Sequence, residues 1–183
     1  YPDGTLFVDL FGGSGLLSHI TKSLKPHSTV IYNDFDNYRF RMKHIPQTNQ
    51  LLADIREMVG NSVPRHKIIK GELRERIFSR IEQEENSTGY VDFITLSSSI
   101  LFSMKYKLSV QDMRKEALYN NIRKTGYPEC TDYLEGLEIV SCDYKEVFNR
   151  YKDIPGVVFL VDPPYLSTDV GTYNMYWNMA DYL

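Results

Sequence analysis

Apolar residues follow two rhythms along this chain. Toward both ends they gather into short runs: Thr5 to Leu10 (T-L-F-V-D-L), Thr29 to Tyr32, Leu137 to Val140, and Val157 to Val161 (V-V-F-L-V). Runs of this length, rich in β-branched and aromatic residues, predict strands. The last reads as a buried strand that stops at Asp162, because Pro163 and Pro164 cannot donate to a sheet ladder. Elsewhere the apolar positions are spaced as on a helix face. That spacing predicts helices over Leu16–Leu24, from near Phe35, over Ile45–Val59 with an early break at Pro46, and over Tyr144–Tyr151. It also predicts a charged helix over Lys67–Glu85, carrying Ile68, Ile69, Leu73, Ile77, Phe78 and Ile81. Glu82 to Gly89 reads as a polar loop, Tyr90–Met104 as helical or mixed, and Val110–Arg123 as a helix ending near Gly126 and Pro128. The pattern is therefore α/β at the two ends and helical between them. Residues 1–60 and 131–183 are expected to form one core, with 61–130 a helical insertion. There is no internal repeat.

Three stretches carry chemistry. The first is Asp9-Leu10-Phe11-Gly12-Gly13-Ser14-Gly15, a strand running through a glycine turn into a helix. Such a turn brings backbone N–H groups and a helix N-terminus close to a ligand. Its spacing is not G-x-G-x-x-G, so the dinucleotide fingerprint is not matched. Asp9, at the strand's end, is placed to meet a ligand's ammonium group. The second stretch is Asn33-Asp34. Asp34 lies 19 residues beyond Gly15, at the end of the second strand, where an acid can bind ribose hydroxyls. The other role for Asp34 is capping the helix that follows, with Asp36 serving that helix's dipole; both hold together if Asp34 is the ligand and Asp36 the dipole partner. The third stretch is Asp162-Pro163-Pro164-Tyr165. A carboxylate and a rigidly held carbonyl can accept the two hydrogens of an exocyclic amine and turn its lone pair out of the ring plane. Tyr165 offers a face on which a base can stack, worth roughly 1–3 kcal/mol.

In this order, the three stretches resemble the Dam-type (D-P-P-Y) adenine-specific DNA methyltransferases. The resemblance implies a Rossmann-like, S-adenosylmethionine-dependent fold. It implies that Gly12, Gly13 and Gly15, with Phe11 beside them and Asp9 as a secondary candidate, approach the cofactor. It implies that Asp34 holds the cofactor's ribose and that Asp143, after the strand Leu137–Val140, contacts its adenine. Asp143 is equally well placed to cap the helix Tyr144–Tyr151. Asp162, Pro163, Pro164 and Tyr165 would bind an adenine flipped from duplex DNA. No metal is implied. The family carries a further cofactor-binding turn upstream of its glycine motif and about three more strands beyond D-P-P-Y. The chain begins Tyr1-Pro2-Asp3-Gly4 and ends 18 residues after Tyr165, so the fold is expected to be incomplete at both ends. The edge of Val157–Val161 would then be covered by later residues of a longer protein or by a second chain.

Charge adds a candidate partner surface. The chain of 183 residues has a net charge of −3, yet residues 65–80 and 103–126 each hold six Lys/Arg against two acids. Local patches are enough to neutralise phosphates. The second block, with Lys105, Lys107, Arg114, Lys115, Arg123 and Lys124, is the better candidate for contacting nucleic acid; the alternative is a solvated helix face. Two cysteines offer neither a disulfide framework nor metal spacing, and no apolar run approaches a membrane span, so a reduced, cytoplasmic setting is expected without a membrane partner. The D-P-P-Y chemistry serves any ring-conjugated amine. Cytosine-N4 or RNA-adenine methylation, and a non-catalytic nucleic-acid-binding remnant of the fold, therefore stay open beside methylation of adenine N6 in DNA.

Overall fold

The computed structural model describes residues 1–102, 105–130 and 132–163. Its elements run β1 (Leu6–Asp9), α1 (Leu16–Leu24), β2 (Thr29–Asn33), α2 (Tyr38–Lys43), α3 (Ile45–Val59), β3 (Ile68–Ile69), α4 (Gly71–Thr88), α5 (Phe93–Ile100), α6 (Val110–Arg114), β4 (Leu118–Tyr119), β5 (Glu138–Val140), α7 (Tyr144–Tyr151) and β6 (Val158–Leu160). They divide into two compact units, Tyr1–Lys43 with Cys130–Leu183, and His44–Glu129.

The first unit holds a four-stranded sheet in the order β5-β2-β1-β6, every pair parallel. Its four strands are the four that the apolar runs predict. β1 and β2 lie in the middle and are almost wholly buried. Val8, Leu10, Phe11 and Ile31 pack with Val147 of α7 into one core. β6 is half-buried rather than buried, and Val161 just beyond it is 46% exposed. The reason is position: among the described residues β6 pairs only with β1 and forms the sheet's edge. From β1 the chain steps outward to β2 and then β5; for β6 it returns to the other side of β1. That reversal puts a topological switch point between β1 and β6, and in open parallel sheets ligands bind outside the carboxyl ends of the strands at such a point.

The second unit has its own core. Leu51, Leu52, Ile55 and Val59 of α3 pack with Ile77, Phe78 and Ile81 of α4, and with Leu96, Ile100, Met113 and Leu118. Helix α3 thus belongs to this unit, and the boundary falls at Lys43/His44 rather than after residue 60. Pro46 does not break α3, because it sits in the first turn, where its missing N–H costs no intrahelical bond. Three further expectations change. Ile68 and Ile69 form a strand, paired antiparallel with Leu118 and Tyr119, rather than opening a helix. Helix α4 starts later and runs through the stretch read as a polar loop, to a left-handed cap at Gly89 (φ 73°). The helix expected over Val110–Arg123 is only α6, five residues long, because Leu118 and Tyr119 go to the sheet. Among the described residues, no helix is long and apolar enough to cross a membrane.

Candidate active site

The carboxyl end of β1 runs straight into the glycine turn. The Leu10 N–H still donates to the Leu160 carbonyl at 3.1 Å, so β1 and β6 stay paired up to the turn. Gly15 precedes α1 with φ 77°, and its N–H closes the turn on the Gly12 carbonyl at 2.7 Å. Gly12 is held to glycine by space. A Cβ there would lie 2.2 Å from Tyr32 Cε2 and 2.7 Å from the Asn33 carbonyl oxygen. The N-cap of α1 is Gly15, which offers no side chain to cap that helix.

Asp9 is 1% exposed. Its Oδ2 accepts the Ser18 hydroxyl proton at 2.7 Å, while Oδ1 is buried with no hydrogen-bond partner among the described residues. Burial pushes the carboxyl up to about 6, against the opposing pull of Ser18 and the Phe11 N–H; the charge of Asp162 adds to the rise. Asp162 is thus close enough in the fold for its charge to be felt at Asp9. It is exposed just past β6, and Pro163 beside it is buried. Pro164 and Tyr165 lie outside the described residues.

Asp34 directly follows β2, and its carboxylate accepts from the first N–H groups of α2. It is 4% exposed. Its Oδ1 accepts from the Tyr38 N–H at 2.6 Å and its Oδ2 from the Arg39 N–H at 3.2 Å, the capping role for α2. The Tyr32 hydroxyl stands 3.1 Å from Oδ1. Asp143 likewise caps α7, accepting the Lys145 N–H at 2.8 Å. Phe11 is buried, its ring 4.8 Å from that of Tyr144.

Two residues with no assigned role in the sequence reading hold this end of the sheet together. Asn33 donates to the carbonyls of Leu10 (3.0 Å) and Cys142 (2.9 Å) and accepts from the Cys142 N–H (3.1 Å), stitching β1, β2 and β5 at one level. Tyr32 roofs the glycine turn. The signal available for both was their place immediately before Asp34, on the strand whose end carries the acid.

Of the six cations singled out as candidates, four are matched by acids of the same unit. Lys105 and Lys107 both pair with Glu116, at 2.6 and 3.1 Å. Arg114 pairs with Glu75 and Glu82 and lies over the Phe78 ring. Lys115 pairs with Asp112. Arg123 lies over the Tyr127 ring at 4.2 Å, and Lys124 has no ion pair among the described residues. No metal-holding cluster of His, Cys, Asp or Glu occurs among the described residues.

The model of the D12 class N6 adenine-specific DNA methyltransferases matches residues 1–182. The chain belongs to that family. It is also 38% identical over 183 residues to a protein of Haemophilus influenzae named "Putative methyltransferase", covering 99% of this chain and 61% of that protein. No solved structure matches the chain at a significant level.

Proposed function

We propose that this chain forms the cofactor-binding and amine-binding part of an enzyme that transfers a methyl group from S-adenosylmethionine to the N6 amine of adenine in DNA. The observation that carries this reading is the switch point between β1 and β6. It sets the glycine turn and Asp9 beside Asp162 and Pro163, so a methyl donor and an amine would meet between two adjacent strand ends.

The residues present fit the cofactor. Asp9 Oδ1 is an unpartnered acceptor beside the uncapped N-terminus of α1. One suits an ammonium group and the other a carboxylate, the two charges of a methionine moiety. The turn at Gly12 has no room for a side chain, so only backbone lines it there. Asp34 retains acceptor capacity for ribose hydroxyls, since a carboxylate has about four lone-pair sites. Phe11, Gly13, Gly15 and Asp143 complete the proposed cofactor set. When bound, S-adenosylmethionine supplies an electrophilic methyl group. The chain's own part is to orient the amine. The Asp162 carboxylate and Pro163 carbonyl accept its hydrogens, Pro164 stiffens the backbone, and Tyr165 stacks on the base. Unit His44–Glu129 is the proposed DNA-contacting part; of its six candidate cations, Arg123 and Lys124 are the two not held by an acid among the described residues. Both cysteines are free thiols, which suits a reduced, cytoplasmic compartment.

The test is transfer of a tritiated methyl group to duplex DNA, followed by digestion to nucleosides. N6-methyl-2′-deoxyadenosine is the expected product; a methylated deoxycytidine, or transfer only when RNA replaces the duplex, would move the reading to another amine. Asp162→Ala should abolish transfer while leaving S-adenosylmethionine affinity within about twofold, the scatter expected for a residue making no net contact with the cofactor. Near-normal turnover in that variant would remove Asp162 from the site.

A further inference from the structure

Tyr32 is fully buried, and its ring fills the space that a side chain at position 12 would need. Its hydroxyl has two acceptors within reach, the Gly13 carbonyl at 2.8 Å and Asp34 Oδ1 at 3.1 Å. A phenol has one proton and can serve only one of them at a time. Burial and the adjacent Asp34 carboxylate both push its pKa upward, so the proton stays on at any working pH.

The acceptor sites of Asp34 can be counted. Oδ1 already takes the Tyr38 N–H and Oδ2 the Arg39 N–H. With two lone-pair sites per oxygen, one site remains on each. When the Tyr32 hydroxyl donates to Oδ1, only the Oδ2 site is left. A ribose diol carries two donors on adjacent carbons, and gripping both needs one site on each oxygen. A single hydroxyl can be accepted without disturbing Tyr32; a diol cannot.

We propose that Tyr32 is a relay between ribose recognition and the glycine turn: docking of a 2′,3′-diol on Asp34 displaces the Tyr32 hydroxyl from Oδ1 onto the Gly13 carbonyl. The relay rests on the reading of Asp34 as the ribose acid. It lowers the affinity for the diol, because a hydrogen bond to a carboxylate is exchanged for a weaker one to a neutral carbonyl. In return, the hydroxyl that already reaches the Gly13 carbonyl at 2.8 Å is held by that carbonyl alone once a complete ribose is in place.

The test is calorimetry on the full chain with S-adenosylhomocysteine and with its 2′-deoxy and 3′-deoxy analogues. In the wild-type chain, loss of either hydroxyl should cost less than about threefold in affinity, because the second hydroxyl must displace Tyr32. Tyr32→Phe keeps the ring and removes the competitor. It should bind S-adenosylhomocysteine about three- to tenfold more tightly and leave both deoxy analogues unchanged. Equal weakening for all three ligands would make Tyr32 a structural residue only, and unchanged affinity for the diol would also overturn the relay. Failure of the wild-type chain to bind S-adenosylhomocysteine would instead remove the cofactor reading, and the relay with it. If Tyr32→Phe does not melt cooperatively, the wild-type series decides: a deoxy penalty of tenfold or more overturns the proposal.

Discussion

At the scale of the residue, the site is built at a cost in stability, and Asp9 is where that cost is measurable. Its carboxyl titrates at about 6 in the fold against an ordinary 3.8. Between those values the folded chain keeps a proton that the unfolded chain has released. Stability from this group is therefore intact below about pH 4 and falls as pH rises through 6. The loss by pH 7 is about 3 kcal/mol, from roughly two pKa units at 1.36 kcal/mol each. Asp9→Asn removes the buried charge and keeps an acceptor for Ser18. It should raise the stability of the cofactor-free chain at pH 7 by up to that amount and change it little at pH 4, as read in denaturant melts at both values. If Asp9 meets an ammonium group, the same variant should weaken S-adenosylmethionine binding by about 1.5–3 kcal/mol. Wild-type affinity should also fall as pH drops below 6. A variant that is less stable at pH 7, or binds the cofactor as well as the wild type, would show Asp9 to be a core residue and nothing more. Asp34 carries a related lesson. The sequence allows capping and ribose binding to hold together, and the three donors around its carboxylate make it structural whatever it binds. Asp34→Ala would therefore lower apo stability as well as affinity.

At the scale of the element, the glycine turn is the joint on which β1, β2 and α1 depend. Gly12→Ala would drive a Cβ against the Tyr32 ring and the Asn33 carbonyl, both buried among neighbours that cannot retreat. Overpacking of this kind costs about 1–3 kcal/mol or more. The expected outcome is a lower urea midpoint with an unchanged slope, together with loss of cofactor binding. A variant as stable as the wild type would mean that the β2 end yields. The turn was legible in the sequence because glycine, strand and helix signals are local. The same holds for the four sheet strands and for α1, α3 and α7, whose limits follow from periodicity and from Asp143 as a cap. The middle was less legible because its deciding contacts are distant in sequence. Ile68 and Ile69 fit a helix face until Leu118 and Tyr119 arrive to pair with them. Glu84 looks like loop composition, yet it is buried in α4 because Arg80 and Gln47 satisfy it. The compensation of Arg114 by two glutamates from α4 was equally hidden, since charge counting along the chain does not show which side chains meet.

At the scale of the whole molecule, those pairings bear on how the chain would meet a polyanion such as the proposed DNA substrate. A net charge of −3 gives no global attraction to DNA, so the proposed DNA binding would rest on cations that no acid compensates. Lys105 and Lys107 share Glu116, Arg114 is held by Glu75 and Glu82, and Lys115 by Asp112. Using them on phosphate would mean giving up those partners, so the net gain is small. Arg123 and Lys124 face no such exchange with an acid. Each phosphate contact on duplex DNA contributes about 0.9 to the slope of log affinity against log salt. Replacing both Arg123 and Lys124 with alanine should therefore flatten that slope by about 2 and weaken binding at low salt. Replacing both Lys105 and Lys107 should leave the slope nearly unchanged, while exposing Glu116. Fluorescence anisotropy with a labelled mixed-sequence duplex, across a salt series, reads both effects in one experiment. Equal flattening by the two pairs would show that the ion pairs open freely toward DNA. Flattening by the lysine pair alone would place the phosphate contacts on the face around Glu116 instead.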